Sequence, residues 1–386
     1  MPKILYVNPA KGHDANSGLH PMRAKQSVQG ALLVSPTHVL VMQNTSISTP
    51  LILKTNGVTY GTYTLASFPG AAPVIDTPKG TTALTLAGHD NIIDGWATQN
   101  ADIHIHLMPG EKGVSYRGNQ LLNLSSLYFA MAYKIMACDT VIRGCSAKEG
   151  RMLRNTGEKS DTGASAFTVW REAGYACANT LIEDCTTEDC YAYASAFPAK
   201  PDGSDVEVFG GVDGLTVRRM TTRNSGTFME VGGTTSRKET ARNIVVELCT
   251  IVRPMGRAFY ANAFNGGFAV ALENILFSRN TIIADDDDAS PVYIGAGHGS
   301  MKGKFRMEQN IILASSQILN ADTDTDWNSI ERRRNVYWRT DSDSAGIPLV
   351  NGDEFRDPGF VDASTGDYRL QHGDVRALDL GALGSA

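Results

Sequence analysis

Cysteine is scarce in this chain. The 386 residues hold six, namely Cys138, Cys145, Cys177, Cys185, Cys190 and Cys249. No two form a CxxC pair, which excludes a zinc ribbon or a thioredoxin-type motif, and six in this length do not make a disulfide scaffold. Long apolar runs are missing too: no segment approaches the ~18 residues of a membrane-spanning helix. There is no excess of positive charge. Lys plus Arg number 35 against 41 Asp plus Glu, a net −6, which argues against the basic stripe of a nucleic-acid binder. The opening MPKILYVNPAKGHDANSG has no basic stretch followed by an apolar run, so no signal peptide is expected.

Glycine, by contrast, is abundant, with 38 residues. It calls for many turns and hence many short strands. Seven segments repeat one phrase: DTVIRGC (139–145), NTLIEDC (179–185), GLTVRRM (214–220), NIVVELC (243–249), NILFSRN (274–280), KFRMEQN (304–310) and SIERRRN (329–335). They end at 145, 185, 220, 249, 280, 310 and 335, so the steps are 40, 35, 29, 31, 30 and 25 residues. A β-patterned step near 25–30 residues fits one coil of a parallel β-helix, with loops inserted where the step is longer. Equivalent side chains then stack about 4.8 Å apart. One ladder should run Cys145, Cys185, Met220, Cys249 and continue as Asn280, Asn310, Asn335. The sulfur half reads as buried core, the amide half as a hydrogen-bonded stack at a turn. The fifth positions are Arg143, Glu183, Arg218, Glu247, Ser278, Glu308 and Arg333, whose alternating signs read as paired charges between coils rather than as catalytic groups. The glycines read as corners of the coil.

Upstream, residues 39–48, 50–64, 83–95 and 119–129 are β-rich and separated by turn residues. In MRAKQSVQGALLV (22–34), Val28, Ala31 and Leu32 share one helical face. A short helix there would cover the open first coil, as a solenoid end requires. The expected division is an amino-terminal strand and capping helix over 1–36, coils over 37–338 and a carboxy-terminal cap or tail over 339–386.

The segment YVNPAKGHDANSGLHPMRAKQSVQGAL (6–32) resembles the opening of right-handed parallel β-helix proteins of the pectate-lyase-like superfamily. The coil segments GLTVRRMTTRNSG (214–226) and NILFSRNTII (274–283) are similar to that group's repeats, and DPGFVDASTGDYRL (357–370) resembles a segment that follows its last coil. The resemblance implies an all-β solenoid and a function among polysaccharide lyases, glycoside hydrolases, epimerases and phage tailspikes. It does not choose among them. The Asp-Pro-His-Asp motif of alginate epimerases is absent, as are the calcium-plus-arginine set of pectate lyases and the paired Asp residues of polygalacturonases.

Function on a rigid solenoid belongs to its loops. Insertions are expected at 148–163, 198–211 and 233–242, beside strands at 166–170, 191–197, 227–233, 258–264 and 291–297. With Phe167, Phe228, Phe259 and Val292 inward, alternation sends Thr168, Met229, Tyr260 and Tyr293 outward, with Trp170, Val231 and Asn262 on the same face. Trp170, Tyr260, Asn262 and Tyr293 would stack on and hydrogen-bond sugar rings, or pack against loops or a neighbouring subunit. Asp161, Asp202, Asp205, Glu207 and Glu230 are candidate acids, because paired carboxyls hydrolyse glycosidic bonds. Lys238, Arg237 or His298 would instead abstract a proton beside a uronate carboxylate. The leading catalytic candidates are Glu230, Lys238 and Asp205, with Asp161, Asp202, Arg237 and His298 in substrate binding. In this phase Glu230 faces the interior.

ADDDDAS (284–290) offers oxygen ligands of the kind Ca²⁺ takes, against the competing reading of a solvated turn. His104 and His106 should share a strand face, where a metal pair would lack a third ligand. Three readings follow. The first is a phage virion surface protein, tailspike-like or decorating, that binds host glycan, is expected as a trimer or beside other virion proteins, and reaches the exterior without a signal peptide. The second is a secreted lyase or hydrolase of acidic polysaccharide. The third is a glycan-binding adhesin without turnover.

Overall fold

The computed structural model describes residues 2–67, 69–156, 163–193, 195, 201–232, 239–261, 270–284, 290–294, 304–321, 330–362, 367–371 and 381. The chain winds through three strands per coil. One turn runs Val141–Arg143, Ser146–Gly150 and Ala164–Trp170 before Ala178–Glu183 starts the next. Each strand pairs in parallel with its equivalent one coil away, giving three long sheets. Among the described residues the first has 12 strands (Ile4–Val7 to Ile330–Arg333), the second 12 (Ser46–Ile47 to Glu354–Phe355) and the third 11 (from Leu51–Leu53 to Leu319–Ala321, with Ala192–Tyr193 off the path). This is a parallel β-helix, and parallel crossovers of this kind are right-handed in nearly all proteins.

The repeated phrase sets the register of the first sheet. Ile142, Ile182, Val217, Val246, Phe277, Met307 and Arg332 stack in one row. All but Arg332 are core residues at or below 1% exposure. Each such fully buried side chain contributes ~1.5–3 kcal/mol. Three of the fifth-position charges meet as expected: the Glu183 carboxylate takes Arg143 at 2.7 Å and Arg218 at 2.5 Å, and Arg219 of the sixth position as well. Burial alone would raise its pKa, but these three guanidinium hydrogen bonds hold it down at about 2.

The seventh-position ladder is also present. Cys145, Cys185, Met220 and Cys249 are buried, and all six cysteines are free thiols. Asn280 Nδ2 donates to Asn310 Oδ1 at 3.0 Å, Asn310 to Asn335 at 2.9 Å, and Asn335 to Asp353 Oδ1 at 3.0 Å. The corner before it corrects the reading of the glycines. The sixth position is left-handed in all seven copies, yet only Gly144 is glycine. Asp184, Arg219, Leu248, Arg279, Gln309 and Arg334 adopt φ of 51–57°. A non-glycine residue there costs ~1–2 kcal/mol, which the stacked coils on either side must outweigh.

Val28–Leu32 forms the capping helix. Ser27 Oγ accepts from Gly30 N at 2.9 Å, and Val28 and Ala31 are buried against Leu5 and Val7 of the first coil. At the other end, Phe360–Asp362 and Asp367–Leu370 pair antiparallel. They bring Phe360, Tyr368 and Leu370 onto Val252, Ile283, Leu313 and Val336 of the second sheet, covering its outer face.

The third sheet departs from simple alternation. At its entry corner two successive residues are buried in coil after coil: Ala83–Leu84, His104–Ile105, Ala132–Tyr133, Ala166–Phe167, Asp205–Val206, Phe228–Met229 and Ala258–Phe259. Both face inward, so the in–out phase resets by one residue within the strand. Residues 201–209, expected as part of a loop, form one of its strands, while among the described residues of 191–197 Ala192–Tyr193 pairs antiparallel with its start.

Candidate functional site

The reset decides which side chains reach solvent. Along the third sheet the outward row runs Thr85, His106, Lys134, Thr168, Glu207, Glu230, Tyr260, Tyr293 and Asn320. Its inward counterpart includes Phe167, Val206, Met229, Phe259 and Val292, all at or below 1% exposure.

Glu207 and Glu230 stand at the centre, paired in register on neighbouring strands. Both are partly accessible. Thr168 Oγ1 lies 2.7 Å from Ser165 Oγ and donates to Glu207 Oε2 at 3.2 Å. Burial, then the neighbouring carboxyls of Glu207 and Asp202, pushes Glu230 up to about 8. Burial also raises Glu207, against the opposing hydrogen bond from Thr168. Burial raises Asp202, whose Oδ1 accepts from Gly203 N at 2.9 Å. Two like charges this close do not ionise together, so the pair holds a proton at neutral pH.

Aromatic rings and cations flank the carboxyls. Lys134 Nζ sits 4.8 Å from the Trp170 ring centroid, and Trp170 packs on Phe209 at 4.8 Å. Burial lowers the pKa of Lys134, against the opposing charges of Glu172 and Glu207. On the other side Tyr260 and Tyr293 lie 5.4 Å apart, with the Arg257 guanidinium 4.3 Å from the Tyr293 ring centroid.

The outward row thus joins paired carboxyls to stacking rings on a solenoid. Among solved structures, a rhamnogalacturonan lyase matches with a TM-score of 0.54 at 13% identity, over 98% of this chain and 99% of that one. A GH136 lacto-N-biosidase from Eubacterium ramulus matches with a TM-score of 0.51 at 13% identity, over 87% of this chain and 67% of that one. What is shared with both is the parallel β-helix fold. No protein-family model matches the sequence, and no curated protein matches it.

On this β-helix the expected residues separate into three groups. Glu230, Asp202, Trp170, Tyr260 and Tyr293 come together on the third-sheet face. For Glu230 this is a correction: it faces outward, while Met229 and Val231, expected outward, are core. Counting alternation from Phe228 fails because Phe228 and Met229 both point inward.

Asp205 is the second correction. It is fully buried inside the coil, where Ser225 Oγ donates to its Oδ1 at 2.5 Å, so it cannot touch a solvent-borne substrate. Burial, opposed chiefly by the hydrogen bond from Ser225, pushes it up to about 7. The same phase reset separates His104 from His106. His104 is buried beside Thr98, 2.9 Å from its Oγ1, and His106 faces out, so they are not a metal pair.

The third group lies outside the described residues: Asp161, Arg237, Lys238, Asn262, His298 and the four Asp of 285–288. Among the described residues no group of three or more His, Cys, Asp or Glu side chains is arranged to hold a metal ion. Lys134 and Phe209 were not singled out by sequence. Their signal is a shared strand position with Glu207 and Trp170, and it is readable only once the third-sheet strands are aligned.

Proposed function

We propose that this protein is a glycoside hydrolase that cleaves a polysaccharide bound across the outward face of the third sheet. The carrying observation is the in-register pair Glu207–Glu230, with Glu230 held up to about 8. A carboxyl protonated at neutral pH beside one with a lower pKa provides a general acid and its partner. Neighbouring strands stand ~4.8 Å apart, which lets both carboxyls reach one glycosidic bond, and we assign the retaining arrangement. Glu230 therefore protonates the leaving oxygen, and Glu207, oriented by Thr168, attacks the anomeric carbon. Water then releases the sugar from Glu207, with Glu230 acting as base. The Tyr260–Tyr293 and Trp170–Phe209 pairs supply rings on either side.

The Glu207 carboxylate, with Asp202 nearby, repels a uronate at the cleavage point, which favours a neutral sugar there. One observation supports elimination instead: Lys134, lowered by burial, is a potential base.

Incubation with a panel of polysaccharides separates the two. Hydrolysis releases reducing ends without the ultraviolet absorbance of an unsaturated uronate. Appearance of that absorbance, abolished by Lys134→Ala and retained in Glu230→Gln, would replace the hydrolase reading by a lyase. No turnover on any glycan, with binding retained, would favour the adhesin.

A further inference from the structure

A hollow lies away from the carboxyl pair, where the third sheet turns back into the first. It is a cleft of about 610 Å³ spanning three successive coils, with Lys54 from one, His89 from the next, and Lys112 and Tyr116 from the third. Its floor is a close backbone approach. A side chain at Gly88 would meet the Thr55 carbonyl oxygen at 1.8 Å. Asn119 Nδ2 donates to Gly88 O at 3.0 Å, and Asn56 Oδ1 accepts from His89 N at 2.8 Å.

One wall is a short hairpin, Gly110–Glu111 paired antiparallel with Val114–Ser115. Lys112 and Gly113 between them have φ of 53° and 78°, as a tight two-residue turn of mirror-image type requires. The hairpin is seated firmly, because a side chain at Gly110 would strike the Tyr175 ring at 2.8 Å. Tyr116 is partly exposed, with the His89 ring edge-on at 5.2 Å and its hydroxyl 3.4 Å from Glu111 Oε2. Lys54 and Lys112 are exposed, and neither makes an ion pair among the described residues.

The register connects this cleft to the candidate site. Leu53, Leu86, Leu107, Ile135, Val169 and Val208 form one row. One residue further on come Lys54, Ala87, Met108, Met136, Trp170 and Phe209, of which Trp170 and Phe209 pair in register, Met136 is buried and the others reach the surface. The cleft and the Trp170–Phe209 pair therefore lie on one line along the axis. Four coil steps separate Ala87 from Phe209, roughly 19 Å at the inter-strand spacing.

We propose that this cleft is an accessory binding site for an acidic sugar of the same polysaccharide whose neutral linkage meets Glu207 and Glu230. Tyr116 and His89 provide the ring contact. Lys54 and Lys112 pair with the sugar's carboxylate, outnumbering the single Glu111. The volume falls in the range of ligand sites, and the location lets one long glycan occupy both places. The proposal rests on the hydrolase reading for its substrate, but its binding chemistry is separable from catalysis.

The test is calorimetric titration of the full chain carrying Glu230→Gln with size-fractionated oligogalacturonates, and with cello-oligosaccharides of matching length. The acidic series should bind more tightly, and added salt should weaken it. Adding Lys54→Ala with Lys112→Ala, or Tyr116→Ala, should weaken the acidic series roughly tenfold or more. In the otherwise unaltered enzyme, these changes should raise KM for long substrates and leave kcat on the shortest unchanged. Equal affinity for the two series, or acidic binding untouched by both sets of changes, would overturn the proposal. If Glu230→Gln instead retains full turnover while the lysine changes abolish binding, the cleft stands and the catalytic reading falls.

Discussion

Glu207 and Glu230 occupy directly opposed positions on neighbouring parallel strands, both facing solvent, with Thr168 bonded to the first and Tyr260 following the second. Replacing either carboxyl by its amide should lower kcat about 10²–10⁴-fold, the usual worth of a positioned acid or base. Circular dichroism should show both variants folded.

The same pair sets a pH window. Glu230 must carry its proton to act as acid, so activity should fall as pH rises through about 8. Glu207 must be ionised to attack, so the acid limb should lie above the ordinary carboxylate value, because burial raises its pKa. Two coupled carboxyls give macroscopic limbs that belong to the pair. Glu207→Gln should remove the acid limb from the residual rate-against-pH profile, and an unmoved limb would assign it elsewhere.

Asp205 gives the fold a different pH dependence. Its folded pKa, about 7, lies well above that of an ordinary aspartate. The folded state therefore holds this proton more tightly. The associated stability is complete below the unfolded value and is lost as pH rises through about 7. Asp205→Asn should accordingly be more stable than the parent at pH ~8–9, by on the order of 4 kcal/mol, with the gap narrowed at pH ~5 and closed only near pH ~4. Urea titrations at these pH values measure this, and a gap that does not change with pH contradicts it.

Glu183 behaves in the opposite sense. Its pKa of about 2 lies below that of an ordinary glutamate, so its contribution is present above the unfolded value and disappears as pH falls toward 2. Glu183→Gln leaves Arg143, Arg218 and Arg219 facing one another without the shared carboxylate. The arginines are partly solvated, which reduces the cost to about 2–3 kcal/mol at neutral pH. Thermal unfolding should show a lower Tm and a flatter dependence on acid.

The amide ladder should be as sensitive as a core position. Asn310 donates to Phe277 O and Asn335 Oδ1 and accepts from Asn280 through both its backbone and side-chain nitrogens. Asn310→Ala strands several of these buried groups, at about 1–3 kcal/mol each. Asn310→Asp keeps the shape but cannot donate to Asn335, so it should also destabilise.

Most of the solenoid was legible in the sequence because one seven-residue phrase recurs with a buried second-sheet corner. The pairing of Arg143 with Glu183 and the run Asn280–Asn310–Asn335 follow from spacing alone. The candidate face was legible only in part. Trp170, Tyr260 and Tyr293 come out of simple alternation, whereas Glu230 and Met229 come out reversed. Asp205 has the spacing of an outward acid from Glu207, yet it lies in the core. The third-sheet strands share no marker residue like the Cys and Asn of the first corner, so nothing local reveals where their phase resets.

The sequence by itself determined the coil, its repeat and its charge ladders, because stacking at one fixed spacing converts periodicity directly into contact. Only the tertiary structure decided which acids face outward and what their protons do. Direction depends on a corner where two successive residues turn inward, and proton affinity depends on burial and on neighbours a full coil away.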